Sequence, residues 1–209
     1  MLRKFGLGLA VVLLLVLAAP AATAQTVDEL IEKNIKARGG LEKMKSVKTT
    51  RMTGKMTMGQ MEAPFVIENK RPNMTRMEFT VQGMTGVQAY DGKSGWTLMP
   101  FMGKKDPEPM SADDLKLAEE QADLDGPLVD YKAKGNTVEL VGKENVEGTE
   151  AYKLKVTKKN GDVTYIYLDS ESFLDIKTDH KRKIQGNEVE FETSIGDYKE
   201  VDGLMVAHS

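Results

Sequence analysis

The chain has 209 residues, 32 acidic against 29 basic side chains, a net charge of −3 and no cysteine. Without cysteine there is no disulfide framework and no thiol for a lipid anchor, so no permanent membrane attachment of that kind is expected. An acidic chain without a basic block argues against nucleic-acid partners and against charge-driven binding to anionic membranes.

Residues 1–24 read as a secretory signal peptide. Arg3 and Lys4 give a basic start, Leu7–Ala19 is an apolar run, and Ala22-Thr23-Ala24 forms a small-residue cleavage site before Gln25. The run is too short to favour a membrane-spanning helix. Its removal leaves 185 residues (209 minus 24), a single domain over 25–209, with 27 basic against 32 acidic side chains. The processed chain is expected to be a soluble monomer, periplasmic where the host has an outer membrane.

Thr26-Val27-Asp28-Glu29 is a capping box, and Val27, Leu30, Ile31 and Ile35 follow at helical spacing until Gly39-Gly40 stops the helix. From Val47 the period changes to two. Met52, Gly54, Met56 and Met58 alternate with polar residues. So do Ala63, Phe65 and Ile67, and then Met77, Phe79 and Val81. Such alternation predicts antiparallel strands with one apolar face and one wet face. Asp91-Gly92-Lys93-Ser94-Gly95 reads as a hairpin turn, with Trp96 directly after it and Pro100-Phe101 closing the strand.

Between Lys104 and Asn136 the alternation stops. Asp106-Pro107-Glu108-Pro109 reads as a loop, and Ser111 caps an acidic helix whose thin apolar stripe is Leu115, Ala118 and Ala122. Asp125-Gly126-Pro127 breaks that helix. Strands are then expected near Thr137–Gly142, Glu150–Lys158, Asp162–Leu168, Phe173–Asp179 and Glu188–Tyr198, with Asn160-Gly161 as a strong hairpin signal. Val163–Leu168 is apolar on both faces and is expected to be central. Leu204–Ser209 begins a further strand with little after it, so the C-terminal edge is expected to be truncated. About ten antiparallel strands served by two or three short helices should curl into a sheet whose concave face the helices cannot fill. The fold class expected is mainly β with a few helices (α+β): an open, incomplete antiparallel β-barrel, a half-barrel, covered by short helices.

The run Lys70-Arg71-Pro72-Asn73, Asp91-Gly92-Lys93 with Trp96, and Pro100-Phe101 resembles the LolA-like family of periplasmic lipoprotein carriers. The motifs span about 35 residues, and the order of elements agrees over nearly the whole processed chain. The resemblance implies a helix-covered half-barrel whose cavity takes acyl chains. It also implies lipoprotein or lipid cargo, an inner-membrane donor protein and an outer-membrane acceptor protein. Arg71 matches the arginine that in the family bonds to the helical lid, as the several donors of a guanidinium permit. Two departures are Thr75 and Met77, where the family's carriers have aromatics, and the chain end at Ser209. The alternative from another class is an envelope sensor or scaffold that uses the same fold to bind a protein.

On this reading the apolar cavity is lined by Met52, Met56, Phe65, Ile67, Met77, Phe79, Trp96, Leu98, Leu154 and Val156, with Arg71, Ile31, Ile35, Leu115 and Ala118 in the lid. Nine of the thirteen methionines lie between Met52 and Met102. They read as core filler or as a deformable lining for acyl chains. The Cu(I) alternative, Met56-x-Met58-x-x-Met61, is disfavoured by the apolar company of these residues and the lack of a nearby histidine. Trp96 and Phe101 are either cavity wall or hairpin core, and Arg71 is either a surface ion pair or a lid residue. His180 and His208 are expected to be solvated. No cysteine nucleophile, histidine pair at metal spacing, phosphate loop or G-x-S-x-G elbow occurs, and Asp113-Asp114 and Glu119-Glu120 read as a helix's polar face. Hence no enzyme, cofactor or metal is expected.

Overall fold

The structure, a computed structural model, describes residues 25–58, 61–184 and 187–209; the signal-peptide reading of 1–24 lies outside them. Helix α1 (Val27–Ala37) is followed by α2 (Leu41–Ser46). A six-stranded antiparallel sheet comes next, in chain order β1 (Thr49–Met58), β2 (Met61–Lys70), β3 (Met74–Val81), β4 (Met84–Tyr90), β5 (Gly95–Met99) and β6 (Lys104–Pro109). Helix α3 (Ala112–Ala122) leads to a five-stranded sheet of β7 (Thr137–Val146), β8 (Thr149–Thr157), β9 (Val163–Asp169), β10 (Asp175–Ile184) and β11 (Asn187–Ser194). A short hairpin, β12 (Lys199–Val201) and β13 (Leu204–Val206), ends the chain. In neither large sheet do the first and last strands pair, so the barrel is open. The single curled sheet expected from the count is two sheets: α3 and the loop 123–136 separate β6 from β7 in the chain, and these two strands do not pair.

Local chemistry explains most boundaries. Thr26 Oγ1 accepts from the Glu29 amide (3.3 Å) and Glu29 Oε2 accepts from the Thr26 amide (2.9 Å), which satisfies two of the free donors at the start of α1. Gly39, at φ +115°, sits where a side chain would lie 2.4 Å from the Gly203 carbonyl oxygen, so the terminal hairpin packs against a residue that must be glycine. Asp91 Oδ1 accepts from the amides of Lys93 (2.9 Å) and Ser94 (2.8 Å), closing the β4–β5 hairpin.

Lys104–Pro109 is an edge strand and not the expected loop. Met110 N–H donates to the Gly95 carbonyl (3.0 Å), so by alternation Pro107 and Pro109 turn their missing N–H groups away from β5. That is the one orientation in which a ladder tolerates proline.

The principal core lies where α1 meets the second sheet. Leu30 and Ile31 pack with Leu128 against Leu154 and Val156 on β8 and Ile166 and Leu168 on β9, and Val27 and Ile35 extend the contact. Asn34, buried on the same helix, donates through Nδ2 to the Phe173 carbonyl (2.8 Å) and to Asp175 Oδ1 (3.1 Å) and so fixes the helix over the start of β10. As its two-sided apolar pattern predicts, β9 is central. On its outer face Tyr167 lies under Lys153 (5.0 Å) and Lys177 (5.1 Å) and donates its hydroxyl proton to Asp179 Oδ2 (2.7 Å). His180, expected to be solvated, stacks on Phe191 across the β10–β11 pair at 5.2 Å; His208 is exposed.

Because Leu154 is fully enclosed, Leu154→Ala should lower unfolding free energy by about 3 kcal/mol in urea titrations.

Candidate functional site

The K-R-P-N turn places Arg71 directly after β2, with a cis peptide to Pro72. Its guanidinium reaches two parts of the chain at once. Nε donates to the Val47 carbonyl (2.7 Å) and Nη2 to the Met44 carbonyl (3.0 Å), both at the C-terminal end of α2, where helix carbonyls lack intrahelical donors. Nη1 and Nη2 also hold the two carboxylate oxygens of Asp125 at 2.9 and 2.6 Å, a two-point fork. Asp125, three residues past α3, is buried, takes Lys45 Nζ at 3.0 Å, and offers its carbonyl to Arg38 Nη1 at 3.4 Å. The clasp thus joins the first sheet, α2 and the α3 exit loop. The arginine beside it, and then Lys45, pull the Asp125 carboxyl down to about 2 against the opposing effect of burial.

Behind the clasp lies a cavity of about 320 Å³. Met44, Val47, Leu124, Ile195 and Leu204 supply apolar wall, and Arg38, Arg71 and Asp175 supply charge. Its volume is at the lower end of the small-ligand range. Burial raises the pKa of Asp175, opposed by nearby Arg38 and the bond from Asn34. Burial and the adjacent Asp175 push Tyr198 up to about 12, and its hydroxyl donates to the Asp175 carbonyl (2.9 Å).

Strand register decides which expected cavity residues share a surface. Met52 faces Ile67, Ile67 faces Met77, Phe65 faces Phe79, and Met56 faces Ala63, so these six expected residues lie on one face of the first sheet. It is also the face that α3 covers. Thr75 and Met77 pair with Tyr90 and Gln88, and Leu115, Ala118 and Ala122 of α3 pack around Tyr90. Phe101 adds to this face, edge-on to Phe79 at 5.6 Å. α3 packs mainly on β3 and β4, and toward β1 Met52 is 47% exposed while Met56, Phe65, Ile67 and Phe79 are half-buried. A gap of about 10 Å³ remains beneath α3, where Thr75 Oγ1 is buried without a protein partner, so the helix rests on a thin apolar contact.

The other expected residues are elsewhere. Trp96 and Leu98 pair with Ala89 and Val87 and therefore project from the opposite face of the first sheet, where Trp96 is 40% exposed. Period-two alternation in β5 puts Trp96 and Leu98 on one face but leaves open which one, and the register resolves it. Leu154 and Val156 are closed core under α1, not cavity lining. Ile31 and Ile35 seal that same core, whereas Leu115 and Ala118 cover the open face. Met58 and Met61 are register partners at the β1–β2 turn, and their side chains lie outside the described residues. Asp125, Lys45 and Asp175 had no sequence signal of their own. Asp125 meets its arginine across 54 residues, and within its D-G-P context it reads only as a helix breaker.

The clasp has a pH signature. Asp125 has a folded-state pKa depressed from 3.8 to about 2, so its contribution is present above pH 4 and lost as pH falls toward 2. Asp125→Asn should cost about 2 kcal/mol at neutral pH, and the gap to the unsubstituted protein should close between about pH 4 and pH 2 in denaturant titrations.

No protein-family model matches the sequence, and comparison with curated proteins finds no relative. Solved structures do match. A LolA superfamily protein from Nitrosomonas europaea aligns with TM-score 0.57 at 12% identity, over 88% of this chain and 83% of that one. A DUF1329 family protein from Desulfovibrio piger aligns with TM-score 0.55 at 14% identity, over 86% of this chain and 82% of that one. Among the described residues no helix is long and apolar enough to cross a membrane. By its open antiparallel sheets, its short covering helices and these alignments, the chain has the LolA-like fold.

Proposed function

We propose that the protein is a carrier in the cell envelope that holds the acyl chains of a lipoprotein, or of another lipid, on the open face of the first sheet and transfers them toward the outer membrane. The observation that carries this reading is the row Met52, Met56, Phe65, Ile67 and Phe79, an apolar strip left open beside a thinly seated helix. A partly exposed apolar strip of this kind is suited to binding, and each acyl methylene buried there contributes about 0.8 kcal/mol. Methionine suits such cargo, because its flexible thioether adapts to chains without a fixed shape. The Arg71–Asp125 clasp holds the closed state, and release follows a shift to an opened one. Loading and unloading are handed to an inner-membrane donor and an outer-membrane acceptor. The chemistry is transfer without covalent change, so no cofactor enters.

Native mass spectrometry of the processed chain, purified from periplasm without detergent, should find a bound species of acyl-lipid or lipopeptide mass. A polypeptide partner retained without lipid would instead favour a sensor or scaffold. Met52→Glu and Phe79→Glu should each weaken binding of a fluorescent fatty acid by about tenfold or more, since a carboxylate would be desolvated under the acyl chain. Arg71→Leu should leave the secondary structure intact by circular dichroism while changing the rate of cargo transfer; unchanged transfer kinetics would remove the clasp from the mechanism.

A further inference from the structure

The two large sheets expose four edge strands, and three of them are defended. The β6 edge carries Pro107 and Pro109, β7 is broken by a register shift between Leu140 and Gly142, and β11 carries alternating glutamates. Strand β1 has none of these devices. It is ten residues long without proline or register shift, and its two charges are drawn back over β2 by ion pairs, Arg51 with Glu68 (3.2 Å) and Lys55 with Glu62 (2.9 Å). An undefended edge of this length is a template for another strand.

The backbone polarity of that edge can be read from the ladder. Arg71 N–H donates to the Lys48 carbonyl (2.9 Å), and these two residues continue the register in which Thr49 faces Lys70. Even-numbered residues of β1 therefore bond to β2. Thr49, Arg51, Thr53, Lys55 and Thr57 turn their N–H and C=O groups to the open side, and all five are exposed. Met52 and Met56, on the same strand, form the outer margin of the apolar strip.

We infer that the open edge of β1 is a second binding surface, which pairs with an extended polypeptide backbone joined to the acyl group in the strip. This rests on the carrier reading and deepens it. A single ligand with an apolar chain and an adjoining extended backbone satisfies the two exposed features at once, the backbone adding a strand as in other edge-pairing complexes. A free lipid would leave the edge unpaired, and a second copy of this chain would pair the edge but leave the strip unfilled.

The test uses the processed chain with three probes: palmitate, a short N-palmitoylated peptide of Ser, Thr and Val, and the same peptide without the acyl group. The palmitoylated peptide should bind about tenfold or more tighter than palmitate, because acyl insertion holds the peptide at high local concentration. Amide exchange at Thr53 and Lys55 should slow by about tenfold with the palmitoylated peptide and stay unchanged with palmitate. Thr53→Pro, which removes an outward N–H without touching the β2 ladder, should erase the advantage while palmitate binding persists; Thr53→Val should retain it. Equal affinities for the two acyl probes, with fast exchange at both amides, would overturn the edge assignment and leave the carrier reading standing. Failure of both acyl probes to bind would overturn both. Protection of Thr53 that grows with protein concentration alone would assign the edge to a second copy and overturn the proposal.

Discussion

One guanidinium holds the covering elements to the sheet. Arg71 gives four hydrogen bonds to partners that have few alternatives: two carbonyls at the end of α2 and both oxygens of a buried carboxylate past α3. The carboxylate is out of water and would be expensive to leave alone, and at Met44 the guanidinium joins the Val47 amide (3.3 Å) as a second donor to the carbonyl. A lysine could not serve in its place, since a point charge cannot fork onto Asp125 while reaching back along the chain to Val47. The clasp is polar and only partly shielded, with the Arg71 side chain 20% exposed, so water can reach it at its rim.

The arrangement separates the enclosed core from the strip proposed to bind. The α1 core with β8 and β9 is fully enclosed and anchored by Asn34, whereas α3 rests on the first sheet through small residues around Tyr90. The proposed carrier role would need this asymmetry, because a part that moves must be drawn from the weakly held elements. The open face of β1–β3 adjoins the weak part, and the enclosed core lies under the other sheet.

Where a property is local, the sequence spoke clearly. The capping box at Thr26–Glu29, the turn at Asp91–Ser94 and the central place of β9 follow from side-chain types within a few residues of one another. The K-R-P-N turn likewise located Arg71. What remained hidden depends on partners distant in the chain. Alternation alone cannot say which face of the first sheet receives Trp96 and Leu98, and that is set by pairing with Val87 and Ala89. An apolar stripe at helical spacing cannot show whether α1 closes a core or covers a cavity, and it is the fold that gathers Leu154, Val156, Ile31 and Ile35 into one closed cluster. Asp125 reads as a helix breaker until the fold brings Arg71 to it. Proline in β6 masked a strand because its tolerance depends on lying at an edge.

The most direct measurement is photo-crosslinking with a fatty acid that carries a diazirine along its chain, followed by peptide mapping of the labelled sites. Acyl chains held on the open face of the first sheet should label Met52, Met56, Phe65, Ile67 and Phe79 and spare Trp96 and Leu98, which lie on the opposite face. Labelling concentrated on Trp96 and Leu98, or spread evenly over both faces, would contradict it.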